Sequence, residues 1–334
     1  MKPSKRIFLD ALQSSLSSYV YYSFKIFSSL FIRKILSPLA MGHVSSIFLV
    51  VEYAKLSHLG MLYATEREIP YQRGKGDLDK VSHVMQVSFN FNFFTAVLMS
   101  VLVAVGAGIL TIFGVQSDFL QGLYCVPFLL IAYMFVSYFR IVLKARHEFG
   151  LVSQINLLDA VSEVGLTLIL VIVLGVKGII LALAFTFVIG ALYLNYRAHI
   201  SPRINFGVLN YIEIKRLLKI GFPLMIDAAV RMFFLTSDKI LIIVLLGQTQ
   251  LGLYSMATMV FNFLMPLPRA VYNVLAPRFY EAYGQMGDFK TVKRYLTIPT
   301  TIFAHLFSIV IGAAAIFSQP FIYYFLPLYQ KSIT

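Results

Sequence analysis

The chain has 334 residues, 59% hydrophobic and 13% charged, with a mean hydropathy of +0.79, which is too apolar for a domain whose surface faces water. A single cysteine, Cys125, excludes an intrachain disulfide or a thiolate metal cluster. The formal charge of +13 accompanies apolar runs longer than 18 residues without period-2 alternation, so the chain reads as an all-α membrane protein, not as a β-barrel or a nucleic-acid binder.

The N-terminal MKPSKRIFLDALQSS carries Asp10 and serines where a cleaved signal peptide needs a compact apolar stretch, so no cleaved signal is read. Nine membrane-spanning helices are predicted, at 12–32, 42–63, 87–113, 119–139, 151–174, 178–196, 220–246, 251–275 and 296–317. Along the first, Ser18, Tyr22, Lys25 and Ser29 recur at helical spacing and draw one polar stripe. Ser45, Glu52 and Lys55 share a face of the second. The segment 64–81 mixes charges and reads as a connection lying on the membrane surface. The fifth helix carries Asn156, Asp159 and Glu163 on one face with no cation within a turn. The seventh aligns Asp227, Arg231, Phe234 and Asp238, and the eighth aligns Ser255, Asn262, Arg269 and Asn273. The stripes of the first, second, seventh and eighth helices predict a polar cavity.

The connections fix an orientation. Segments 1–11, 64–86, 140–150, 197–219 and 276–295 hold 19 of the 28 Lys and Arg, and the alternate connections hold four, Arg33, Lys34, Lys177 and Lys331. The first group is therefore expected in the cytoplasm, with the N-terminus. Five cations inside spans (Lys25, Lys55, Arg231, Lys239, Arg269) are matched by five acids (Glu52, Asp159, Glu163, Asp227, Asp238), so the spans are neutral overall. The basic excess then reflects topology and anionic lipid contact, not nucleic acid. Without tryptophan, interfacial anchoring falls to tyrosines such as Tyr323 and Tyr324. Scattered histidines offer no zinc spacing, and no phosphate-binding glycine loop appears.

An internal repeat organises the chain. KILSPLAMGHVSS (34–46) matches VLLGQTQLGLYSM (244–256) in the register of Gly42 with Gly252 and Ser45 with Ser255, an offset of 210. Each copy then reaches a Gly-Asp-hydrophobic turn, Gly76-Asp77-Leu78 and Gly287-Asp288-Phe289. The offset spans six helices, so both copies run the same way and predict two pseudo-symmetric lobes about an axis along the membrane normal. The expected division is an N-terminal lobe of six helices (1–200), a cytoplasmic linker (201–219) and a C-terminal lobe (220–334) of three helices plus the start of a fourth. That second lobe reads as incomplete, the mark of a truncated product or broken reading frame. A full partner needs a chain of roughly 400 residues or more.

RKILSPLAMGHVSSIFLVVEYAKLSHLG (33–60) and the stretch 217–289, with Gly221-Phe222-Pro223, Ser237-Asp238-Lys239, Gly252 to Ser255 and Pro277, resemble the Wzx-type polysaccharide flippases. These belong to the multidrug/oligosaccharidyl-lipid/polysaccharide (MOP) exporter superfamily. Members generally have more helices than the nine expected here. The resemblance implies a MATE-like fold in a bacterial inner membrane. It further implies translocation of undecaprenyl-pyrophosphate-linked O-antigen or capsule repeat units from the cytoplasmic to the periplasmic leaflet by alternating access. No cofactor is implied beyond a coupling ion, H⁺ or Na⁺. The implied partners are lipid-linked oligosaccharide, membrane lipids, and the polymerase and glycosyltransferases of lipopolysaccharide or related polysaccharide biosynthesis.

A pyrophosphate leaving the headgroup region needs cations, which Lys25, Lys55, Arg231, Lys239 and Arg269 would supply, while Ser18, Tyr22, Ser29 and Asn262 would meet sugar hydroxyls. The competing reading is internal pairing, Glu52 with Lys55 and Asp227 with Arg231; Arg269 would then snorkel. Asp159, Glu163 and Asn156 form the candidate coupling site, because two carboxylates one turn apart in low dielectric favour a shared proton or a bound Na⁺. An interhelical hydrogen bond, or an ion pair with Lys25, is the alternative there. Rival functions are a MATE-like drug or cation antiporter, an inactive fragment, and a membrane enzyme of polysaccharide assembly; short external connections disfavour the last.

Overall fold

A computed structural model describes residues 21, 23–115, 117–146, 148–198, 210–264 and 289–332. Among them every regular element is helical. Helix α1 covers 23–35, α2 Pro38–Ala54, a 3₁₀ turn Lys55–His58, α3 Met61–Gly74, α4 Leu78–Ile112, α5 Asp118–Leu123 and α6 Val126–Ala145. Then follow α7 Phe149–Ala198, α8 Tyr211–Leu246, α9 Gln248–Leu264, α10 Phe289–Phe325 and a 3₁₀ turn Pro327–Ser332. Four helical runs among the described residues are long and apolar enough to cross a membrane: Pro38–His58, Leu78–Ile112, Asp118–Ala145 and Gly150–Arg197. The chain forms two compact units, one ending at Gly252 and one beginning at Leu253.

Helix starts follow local chemistry. Ser37 Oγ accepts the Ala40 N–H ahead of Pro38, Asp77 Oδ1 accepts that of Lys80 at 2.9 Å, and Asn210 Oδ1 accepts that of Ile212 at 2.9 Å. The predicted spans 151–174 and 178–196 are the two arms of α7, which turn back on each other at Gly175 (φ 55°, ψ −128°). Tyr193 on the second arm donates to Gln154 Oε1 on the first at 2.7 Å, which fixes the hairpin register.

The second predicted span, 42–63, is not one helix. It breaks after Ala54 into the 3₁₀ turn, passes through left-handed Leu59 (φ 48°) and Gly60 (φ 90°), and restarts as α3. His58 Nδ1 accepts the Gly60 N–H at 2.9 Å and so satisfies a donor that the break would leave bare. The expectation that 64–81 lies on the membrane surface is also corrected. Thr65, Glu68, Ile69 and Gln72 of α3 are buried, because α3 packs between α4, α6 and α8.

That packing builds the core of the first unit. Met61 and Ile69 of α3, Val84 and Phe89 of α4, Tyr138 and Leu143 of α6, Leu194 of α7 and Leu217 of α8 interlock there. Phe89 and Tyr138 meet edge-on at 5.2 Å, and the Tyr138 hydroxyl donates to the Met85 carbonyl at 2.7 Å. Farther along α4, Val101, Leu102, Val105 and Ile109 stand about half exposed, an apolar face suited to lipid chains. In the second unit, Ile322, Leu326 and Tyr329 are buried around the end of α10.

Candidate functional site

Three helices of the first unit assemble a charge centre. The first arm of α7 presents Asp159 and Glu163 one turn apart, as the sequence predicts, and the counter-cations arrive from other helices. Lys25 Nζ lies 3.2 Å from Glu163 Oε1 and donates to the Tyr21 hydroxyl oxygen at 3.1 Å. The Tyr21 hydroxyl donates in turn to Glu163 Oε2 at 2.8 Å. Arg140 of α6 pairs with Asp159 Oδ2. Lys25 is thus held by Glu163, the ion-pair alternative, and Asp159 gains a partner that the positive-inside count had assigned to the cytoplasmic segment 140–150. Asn156 sits half-buried one turn before Asp159.

The centre is neutral as a set but incompletely satisfied. Asp159 is 4% exposed, and both Asp159 Oδ1 and Arg140 Nε are buried without a hydrogen-bond partner. Gly190 of the second α7 arm closes over it; a Cβ there would lie 3.3 Å from Asp159 Oδ1. A carboxylate oxygen without a donor at this depth carries a standing cost, which a proton or a small cation would relieve.

The helix break opens a second polar region. A small hollow of about 20 Å³ is lined by Lys55, Ser57, His58, Asn92, Thr95 and Tyr133 together with apolar side chains. Lys55 Nζ lies 2.7 Å from Glu52 Oε1 and 4.7 Å from the centroid of the Tyr133 ring. Asn92 donates to the Ser88 carbonyl at 2.7 Å, while its Oδ1 is buried and unpartnered. Arg231 pairs with Asp227 at 2.5 Å on α8. Tyr53 of α2 and Thr236 of α8 share a hydrogen bond at 2.8 Å, and Lys55 and Arg231 are each already paired with an acid about one turn away in their own segment.

The remaining predicted residues are dispersed. Lys239 is half-buried, its backbone N–H bonded to Asp238 Oδ1 at 2.8 Å. Ser29 Oγ accepts from Arg33. Asn262 is exposed on α9 in the second unit. Ser18, Tyr22 and Arg269 lie outside the described residues.

Sequence reasoning missed one further network, at the basic end. Arg216 at the start of α8 reaches Glu68 of α3 at 2.7 Å and Glu213 at 2.8 Å, and Lys80 of α4 reaches Glu213 at 3.3 Å. The Arg216 hydrogen bonds hold the Glu213 carboxyl below the usual glutamate range. At Glu68, burial pushes upward, but hydrogen bonds from Gln72 and Arg216 outweigh it and the carboxyl is lowered. The Arg216 guanidinium is raised by the same contacts. The clue in sequence was Glu213 three residues before Arg216.

The family described as polysaccharide biosynthesis protein matches the chain over residues 31–326. No curated protein matches. Solved structures do. An inward-facing multidrug-resistance MATE family transporter of the MOP superfamily aligns with 97% of this chain and 78% of its own, at TM-score 0.69 and 15% identity. A MOP superfamily transporter from Pyrococcus furiosus aligns at 0.62 and 15%, covering 97% and 76%. The Vibrio cholerae MATE transporter VcmN, as a point variant, aligns at 0.62 and 17%, covering 98% and 77%. At these identities the likeness establishes the fold alone, that of a multi-pass helical membrane protein. Family match and fold together place the chain in the polysaccharide biosynthesis protein family, carried on the architecture of the MOP-superfamily transporters.

Proposed function

We propose that the chain is a transporter, not an enzyme, and that it moves undecaprenyl-pyrophosphate-linked oligosaccharide between leaflets of the bacterial inner membrane by alternating access. In this reading the N-terminus is cytoplasmic, the cargo is an O-antigen or capsule repeat unit, and H⁺ or Na⁺ drives the cycle. Family membership supports the saccharide; the fold supports transport.

The observation that carries the mechanism is the charge centre, where Asp159 Oδ1 is buried and unsatisfied beside Arg140, inside an apolar bundle. Ionisable groups at bilayer depth mark ion pathways when they are not fully neutralised. Binding an ion at Asp159 would loosen the Arg140 pair, and Glu163 with Lys25 and Tyr21 would hold the second charge in place. The cations Lys55, beside Tyr133, and Arg231 are the cargo-facing candidates, exchanging Glu52 and Asp227 for pyrophosphate oxygens.

The test is glycan export in cells lacking their own flippase. Asp159→Asn and Glu163→Gln together should abolish export or its response to the ion gradient at normal protein level. Export by this double variant that still follows the gradient would remove Asp159 and Glu163 from coupling. Drug efflux in place of glycan export would favour the antiporter reading, which the MATE-type fold keeps in view.

A further inference from the structure

Helices α2 and α9 begin against each other. A Cβ at Gly42 would lie 1.9 Å from the Gln248 carbonyl oxygen, and a Cβ at Gly252 would lie 1.7 Å from that of Pro38 and 3.0 Å from the Gly42 nitrogen. Real Cβ contacts do not go below 3.0 Å. The obstructing atoms are backbone, so no change of rotamer relieves the overlap. Ser46 Oγ adds a hydrogen bond to Gln248 Oε1 at 2.7 Å.

The contact is reciprocal. The repeat offset of 210 carries Pro38 to Gln248 and Gly42 to Gly252, so each glycine meets the counterpart of the residue that its own counterpart meets. That is the signature of two equivalent surfaces across a twofold axis. It is not a general feature of this chain's helices, since a Cβ at Gly106 or Gly108 of α4 would meet nothing within 4 Å.

We propose that the Gly42–Gly252 contact is a latch that closes the end of the bundle opposite the basic segments in one state of the transport cycle and parts in the other. This rests on the alternating-access reading given above. The two helix starts meet backbone to backbone, with Ser46 and Gln248 hydrogen-bonded across them, which is close enough to exclude water. Because the overlap exists only in the latched state, a methyl group at either glycine raises the energy of that state alone and moves the population to the parted one.

The experiment places spin labels at Leu39 and Gln250 on a Cys125→Ser background, with the full chain in lipid nanodiscs, and reads the distance distribution by electron–electron resonance. Both sites are exposed. The parent should show a short-distance population that Gly42→Ala and Gly252→Ala each reduce by about tenfold or more. The double variant should lose at least as much of it as the stronger single, since both overlaps fall in the same state. Gly106→Ala and Gly108→Ala should leave the distribution unchanged. Ser46→Ala, which removes the hydrogen bond without overlap, should shift it in the same direction by a smaller amount and serves if the glycine variants do not fold. Parental distances in the glycine variants overturn the latch. A glycine-dependent short distance in a chain that exports no glycan keeps the latch and overturns the transport reading instead.

Discussion

Arg140 and Asp159 show how burial sets the weight of a single contact. Their side chains are 29% and 5% exposed, so removing the guanidinium strands a carboxylate that water cannot reach. Arg140→Ala should therefore destabilise the chain by roughly 3 kcal/mol, near the lower end for breaking a buried pair, because Arg140 retains some solvent. Asp159→Asn alone should also cost stability, by leaving the cation without its counterion. Combined, the two should lose clearly less than the sum. Thermal unfolding followed by a dye that reacts with the single cysteine, Cys125, provides the readout, and simple additivity would deny the pair. The two acids were legible in the sequence as a one-turn spacing on an apolar helix. Their cation was not: the predicted fourth span ended at 139, one residue before Arg140, whereas α6 continues to Ala145. A boundary misplaced by six residues turned a bundle cation into an apparent loop cation. Lys25 was legible as a mid-span charge, and only the tertiary approach of α1 to α7 could show that Glu163 receives it.

At the scale of elements, long apolar runs announced themselves by length, and the breaks did not. Nothing in KLSHLG forbids helix, since it lacks proline and its one glycine is tolerated within membrane helices. The chain breaks there because α3 must lie against α8. A Cβ at Gly60 would come 2.3 Å from the Gly221 carbonyl carbon, and one at Gly221 would come 2.0 Å from the Gly60 oxygen. The Gly221-Phe222-Pro223 motif thus acquires a role: its glycine admits the turn. Leu59 holds a left-handed backbone that a glycine would adopt more easily, and it is 42% exposed, so its side chain contributes little packing. Leu59→Gly should stabilise the chain by about 0.5–1 kcal/mol. Gly60→Ala should cost roughly 2 kcal/mol or more, through its positive φ and the overlap with Gly221. Opposite signs at adjacent positions, measured by the same Cys125 assay, distinguish a seated turn from a frayed one; two losses of equal size would argue against it.

For the whole molecule, the repeat and the charge asymmetry were both readable before any coordinate. The repeat carries over into the fold, because residues that the offset pairs meet each other at the starts of α2 and α9. The asymmetry makes an orientation prediction of its own. Lys34, in the last turn of α1, and Lys75, after α3, are both exposed, and the count of 19 cations against four assigns them to opposite sides. On a Cys125→Ser background, Lys34→Cys should react with a membrane-impermeant maleimide in spheroplasts, and Lys75→Cys should react only after the membrane is opened. The reverse pattern would invert the chain. It would place the Arg216–Glu68–Glu213 network outside and the proposed latch at the cytoplasmic end. The direction of cargo movement would then have to be reversed as well, while the buried charge centre at Asp159 would keep its chemistry.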